Sequence, residues 1–227
     1  VRKGDEIMDN TVKRAGTIIA IALILSIATQ IFYMATLGGP QPSDPAAGVT
    51  HADVIAYFTD RWNEIATVWM IELAAFALIA IGALVAMTRG AAAPWAWGAL
   101  SLAGLFNLVQ LAFGLAMFRP ASTADEALAP IATTFVGGAF FFYFLAKALI
   151  GLAGIGFGLA LWRGASPMTK IVAILSVVVG AAAAAANIAT LPQGTALIFP
   201  AGATGTAAAL FTGLAAMLVT RQASGEK

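Results

Sequence analysis

The chain alternates between long runs of apolar residues that are almost free of charge and short polar connections. Six runs, about 16–37, 65–87, 93–117, 132–162, 168–190 and 195–219, are candidate transmembrane helices, because crossing roughly 30 Å of hydrocarbon takes about 20 apolar residues. The pattern predicts an all-α polytopic membrane protein. Its six spans form one compact bundle over 16–220, between an N-terminal segment 1–15 and a tail 221–227. The first run follows Arg2, Lys3, Lys13 and Arg14, and it is longer than the roughly 7–15 apolar residues of a signal peptide. It reads as an uncleaved anchor. The chain begins at Val1, with Met8 as a second candidate start.

The longest polar connection, "LGGPQPSDPAAGVTHADVIAYFTDRWNEIATVW", precedes the second span. Its Gly- and Pro-rich part cannot continue a helix. Thr50 and Asp53 then have the spacing of a helix N-cap, and Val54, Ile55, Phe58 and Trp62 recur at helical spacing. The expectation is a short amphipathic outer helix before span two, either anchored on the membrane surface or covering a pocket. His51, at its first turn, reads as a solvated surface residue rather than a metal ligand.

Composition sharpens the membrane reading. The chain is 60% hydrophobic and 10% charged, against roughly 25% charged residues in a soluble domain, and its mean hydropathy is +0.89. A net charge of +1 spread over short loops offers no basic patch for nucleic acid. Placing the N-terminus inside puts nine cations (Arg2, Lys3, Lys13, Arg14, Arg89, Arg163, Lys170, Arg221, Lys227) in inner segments and two (Arg61, Arg119) in outer ones. That asymmetry predicts cytoplasmic N- and C-termini.

Two charges interrupt the apolar runs: Glu72 in "VWMIELAAFALIAIGALVAM" and Lys147 in "FFFYFLAKALIGLAG". Such residues cost roughly 2.5–3.5 kcal/mol at bilayer depth and usually find partners or water. At about 1.5 Å per residue, Glu72 and Lys147 both lie roughly 24–25 Å from the inner-face arginines Arg89 and Arg163. The same count brings Gln30, Gln110, Asn187 and Thr204 to about that depth, with Asn107 one turn from Gln110. Three readings stay open: an outward-facing polar cavity around these residues, a purely structural Glu72–Lys147 ion pair, and snorkelling of Lys147 to the headgroups. Span four, about 46 Å long as one helix, must project outward or break at Gly137–Gly138. Phe140, Phe141, Phe142, Tyr143 and Phe144 then read as an outer aromatic belt or as the wall of a ligand site. Gly151, Gly154 and Gly158 mark a helix-packing face, on which another helix of the bundle or another subunit can approach closely.

Candidate chemistry is sparse. With no cysteine and one histidine, thiolate metal sites and a bis-histidine haem are excluded. Metalloprotease, nucleophile-elbow and P-loop motifs are missing from the sequence. No catalytic residue, metal or cofactor is assigned, and an enzyme is the least favoured class.

The segments "HADVIAYFTDRWNEI", "IELAAFALIAIGALVAM" and "LALWRGASPMTKIVAIL" resemble a family of uncharacterised bacterial six-span proteins carrying a domain of unknown function. The resemblance implies a six-helix membrane fold in the bacterial inner membrane, an outer loop before span two and an acidic residue early in that span. It implies no activity, and Lys147 is not among its features. Two functions are therefore expected: a structural or accessory membrane component, with the lipid bilayer and a membrane-protein partner or second copy around it, or a small transporter or ligand-binding protein with an outward-facing polar cavity at Glu72 and Lys147.

Overall fold

A computed structural model describes residues 3–44, 46, 48–162, 166–193 and 197–222, with side chains from Asn10 onward. Arg2, Arg163 and Lys227, counted in the charge asymmetry, lie outside the described residues, as does the first part of the expected sixth span. The helices are α1 (Lys3–Phe32), α2 (His51–Asp60), α3 (Trp62–Thr88), α4 (Pro94–Phe113), a short α5 (Arg119–Ser122), α6 (Ala129–Leu161), α7 (Pro167–Thr190) and α8 (Ile198–Gln222). Six of these segments are long and apolar enough to cross a membrane. Their number is the six expected from the sequence.

Local chemistry sets several boundaries. Pro94 opens α4 behind Ala93, whose φ of 59° is left-handed, and Pro167 opens α7 behind Ser166, which accepts the Thr169 N–H at 3.3 Å. Proline suits a first turn, where its missing N–H leaves nothing unpaired. α2 begins with a capping box: the Thr50 hydroxyl accepts the Asp53 N–H, and the Asp53 carboxylate accepts the Thr50 N–H at 2.8 Å. This helix stops at Arg61, so Trp62 opens α3 instead of extending α2. α1 and α4 each end in a π-helical turn, Tyr33–Leu37 and Gly114–Phe118.

The spans form a closed ring in which α1 packs on α3, α3 on α4, α4 on α6, α6 on α7, α7 on α8 and α8 on α1; α6 also crosses to α8. Flanked by three partners, α6 is the central element: 67% of its apolar window is buried, against 28–44% in the other five. It runs unbroken for 33 residues, about 50 Å. The long fourth run is therefore one projecting helix, with no break at Gly137–Gly138.

Glycine permits the closest approaches to α6. A Cβ at Gly151 would lie 2.5 Å from the Gly180 carbonyl oxygen, one at Gly154 2.6 Å from Thr212 Oγ1, and one at Gly158 2.6 Å from the Ala173 oxygen. Gly151 and Gly158 thus face α7, while Gly154 also touches α8. Trp97 and Phe157, with ring centroids 4.4 Å apart, fill the α4–α6 interface. The outward faces are equally apolar, with Ile21 61%, Ile81 63% and Val178 59% exposed, as expected where lipid rather than water surrounds the bundle.

At the end of the bundle that carries α2, Phe58 is buried with Leu37, Ile65 and Val68, and Val54, Tyr57, Trp62 and Phe118 pack around them. Ile55, expected on the same face, is not in this cluster. The apolar side of α2 thus packs on the helix ends of its own bundle. Tyr57 donates to the Gly38 carbonyl at 3.0 Å and shares a 2.9 Å hydrogen bond with Tyr33.

Candidate functional site

Four helices bring polar side chains to one level inside the ring. From α1, Thr29 donates its hydroxyl to Glu72 of α3 at 2.9 Å. Its neighbour Gln30 accepts from Lys147 of α6 at 3.2 Å and from Thr206 of α8 at 3.3 Å, both at Oε1. Gln30 Nε2 donates to the Tyr143 hydroxyl at 2.7 Å. A lysine has only donors to offer, so the Gln30 amide must turn its oxygen toward Lys147 and its nitrogen toward Tyr143.

Lys147 is 3% exposed, and its ammonium also lies 5.2 Å from the centre of the Tyr143 ring. Its alkyl stem lies along Gly205 of α8, where a Cβ would come within 2.9–3.1 Å of the stem carbons. The ammonium and the Glu72 carboxylate act on each other electrostatically, but no direct contact within 4.0 Å joins them. In place of a direct pair, one of the three readings left open by the sequence, there are two connected anchors: Thr29 holds the carboxylate and the adjacent Gln30 holds the ammonium. Successive helical residues point about 100° apart, so α1 reaches both α3 and α6 from one turn.

The other residues expected in the polar layer do not join this cluster. Asn107 is buried and donates to the Ala103 carbonyl of its own helix at 3.0 Å. Gln110 is half-buried, with no side-chain hydrogen bond among the described residues. Thr204 turns back to its own helix, donating to the Pro200 oxygen at 2.7 Å. Asn187, fully buried, donates to the Ala183 and Ala201 carbonyls at 2.9 and 3.1 Å and so ties α7 to α8. Among the described residues its Oδ1 has no hydrogen-bond partner. Since both carbonyls need the amide nitrogen, turning the amide over would not relieve this.

Thr29, Tyr143 and Thr206 complete the cluster, and the depth count alone did not single them out. Tyr143 precedes Lys147 by one helical turn, and that i, i+4 spacing was a readable signal. Within the expected aromatic belt, Phe144 is buried, Tyr143 is bound to Gln30, and Phe141 is 46% exposed. The run faces the interior as much as the surface.

The cluster reaches the surface on one side. Gln30, Tyr143 and Thr206 form the polar floor of a groove of about 720 Å³ between α1 and α8. Its walls include Ile27, Ile31, Met34, Phe199 and Leu210, of which Ile31, Met34 and Phe199 are 59%, 60% and 77% exposed at the rim. Glu72 and Lys147 lie behind the floor and do not line the groove. No family model, curated protein or solved structure matches the chain.

Outside the spans, Asp53 is held by the Thr50 N–H, the Thr50 hydroxyl and the Ser43 N–H, which lower its carboxyl from the ordinary 3.8 to about 2. Burial pushes the Tyr57 phenol up. His51 Nε2 lies 3.1 Å from the Ala124 carbonyl oxygen, so that nitrogen carries the proton and donates. The residue expected to be solvated instead pins α2 to the segment after α5. Among the described residues, no three His, Cys, Asp or Glu side chains gather as a metal site.

Proposed function

We propose that this protein is a non-catalytic membrane protein that binds a single-chain amphiphile, taking it laterally from the hydrocarbon into the groove between α1 and α8. One observation carries the reading: Gln30, Tyr143 and Thr206 belong both to the groove floor and to the network that holds Lys147. An apolar cleft of several hundred Å³ with a few convergent polar groups is the usual form of a small-molecule site. Tyr143 accepts from Gln30 and keeps its own proton for a ligand; Thr206 donates to Gln30 and keeps its lone pairs. A head group with both an acceptor and a donor, such as a carboxylic acid or an alcohol, suits that floor. The exposed apolar rim suits an acyl chain.

The inner-segment excess of Lys and Arg supports a topology with both termini cytoplasmic and α2 on the outer side. The resemblance to six-span bacterial proteins supports the inner membrane as the location. In that orientation the groove lies in the outer half of the bilayer. The accessory-component reading draws on the glycine faces, the short inner loops and the missing catalytic motifs; of these, the glycine faces at Gly151, Gly154 and Gly158 are occupied by contacts within the chain.

The test is binding of dansyl-labelled undecanoic acid to the full chain in detergent, read by the rise in dansyl fluorescence. Ala203 also lines the groove, and filling it with Ala203→Trp is expected to abolish the signal. Tyr143→Phe is expected to weaken binding about fivefold, the loss of one hydrogen bond. Equal binding by wild type and Ala203→Trp would overturn the proposal.

A further inference from the structure

At the opposite end of the same α1–α8 seam, Lys13, Arg14 and Arg221 line a second pocket of about 420 Å³, together with Thr17 and Ile18. The two helices run antiparallel here, with Gly16 against Thr220, so the beginning of the first span and the last turn of the sixth bring three cations to one place. Arg14 and Arg221 are exposed. Thr17 donates its hydroxyl to the Lys13 carbonyl at 3.1 Å, and the guanidinium groups of Arg14 and Arg221 are the pocket's exposed charged donors. Arg89 and Lys170, also assigned to inner segments by the charge count, are exposed on other helix ends.

The geometry points to a binding site for the phosphodiester head group of an anionic phospholipid. Charge complementarity argues for the phosphate, since the Arg14 and Arg221 guanidinium groups offer paired N–H donors that match phosphate oxygens. Position argues for a lipid as its source. Directly along α1 from the pocket, Ile18, Ile21, Ile24 and Leu25 are 43%, 61%, 50% and 42% exposed, a flank on which acyl chains lie once the head group is held. Basic pockets between transmembrane helices at the membrane surface are a recurring form of anionic-lipid recognition. The head-group pocket and the amphiphile groove occupy opposite ends of the seam and share no lining residue among the described residues, so this inference stands independently of the proposed function.

The experiment is thermal unfolding of the full chain in detergent, titrated separately with phosphatidylglycerol, phosphatidylcholine and inorganic phosphate. Phosphatidylglycerol is expected to raise the unfolding temperature in a saturable way, and the other two to leave it unchanged. The variant carrying Arg14→Gln and Arg221→Gln is expected to need at least tenfold more phosphatidylglycerol for the half-maximal shift; Arg89→Gln is expected to behave as wild type. Should the double variant fail to fold, the wild-type midpoint is measured against sodium chloride, where it is expected to weaken steeply as salt rises. The inference is overturned if phosphatidylcholine or inorganic phosphate gives the same shift, if the double variant keeps the wild-type midpoint, or if the wild-type midpoint ignores salt.

Discussion

The packing of α6 on α7 allows one substitution to be tried at two sites of the same helix with opposite expected signs. At Gly151, a new methyl group would sit 2.5 Å from the Gly180 oxygen and 2.9 Å from the Ala184 nitrogen. Both obstacles are backbone atoms, which no side-chain rotation removes. Reaching an ordinary contact of 3.4 Å requires the helices to part by roughly 0.9 Å at this point. Overpacking of this kind costs about 1–3 kcal/mol, partly offset by alanine's helical advantage over glycine of up to about 1 kcal/mol. Gly151→Ala should therefore lose about 1–2 kcal/mol. At Gly137, nothing among the described residues lies within 4 Å of the added carbon, so Gly137→Ala should gain about 0.5–1 kcal/mol from the backbone alone. The difference of about 2 kcal/mol corresponds to a change of roughly thirtyfold in the folding equilibrium. Reversible unfolding in mixed micelles of dodecylmaltoside and sodium dodecyl sulfate, followed by far-ultraviolet circular dichroism, resolves it. If Gly151→Ala proves as stable as Gly137→Ala, the α6–α7 contact is not as close as described and the packing argument fails.

Three further outcomes follow from the cluster, the core and the cap. In a double-mutant cycle of Glu72→Gln and Lys147→Met, the two charges should couple by only about 1 kcal/mol, because Thr29 and Gln30 hold them separately; full recovery of stability in the double variant would indicate a direct pair instead. Phe157→Ala, emptying a fully buried site against Trp97, should cost about 3–5 kcal/mol in the same unfolding assay, and a loss below about 1 kcal/mol would contradict that packing. The Asp53 carboxyl is lowered from 3.8 to about 2 in the folded chain, so its contribution to the α2 cap is complete above 3.8 and is lost as pH falls through about 2. Hydrogen exchange at the α2 amides should accelerate across that window, and Asp53→Asn should remove the step; a step near pH 6 would assign it to another group.

Much of this architecture follows from one-dimensional arithmetic. Hydrocarbon thickness demands about 20 apolar residues per span, and the constant rise of a helix converts residue counts into depth. Glu72, Lys147 and Gln30 were thereby brought to one level before any packing was known. The Thr50–Asp53 cap was equally local, since two residues three positions apart carry it.

Direction around the helix axis was not legible. In a soluble helix the apolar stripe shows which face turns inward, whereas here lipid and core are both apolar and the pattern carries no such bias. Thr204 and Thr206 differ by two residues, hence about 200° of rotation, and packing selected Thr206 for the cluster. Gln110, expected at the depth of the cluster, and Asn107, one turn away, sit on α4, which packs on α3 and α6, and neither reaches Gln30. The sequence alone therefore determined the number of long apolar helices, because that depends only on distance along the chain. Which of their polar residues meet, that Gln30 and Thr29 stand between the two charges, and that Gly205 leaves space for the Lys147 stem, were decided by the order in which the helices pack around α6.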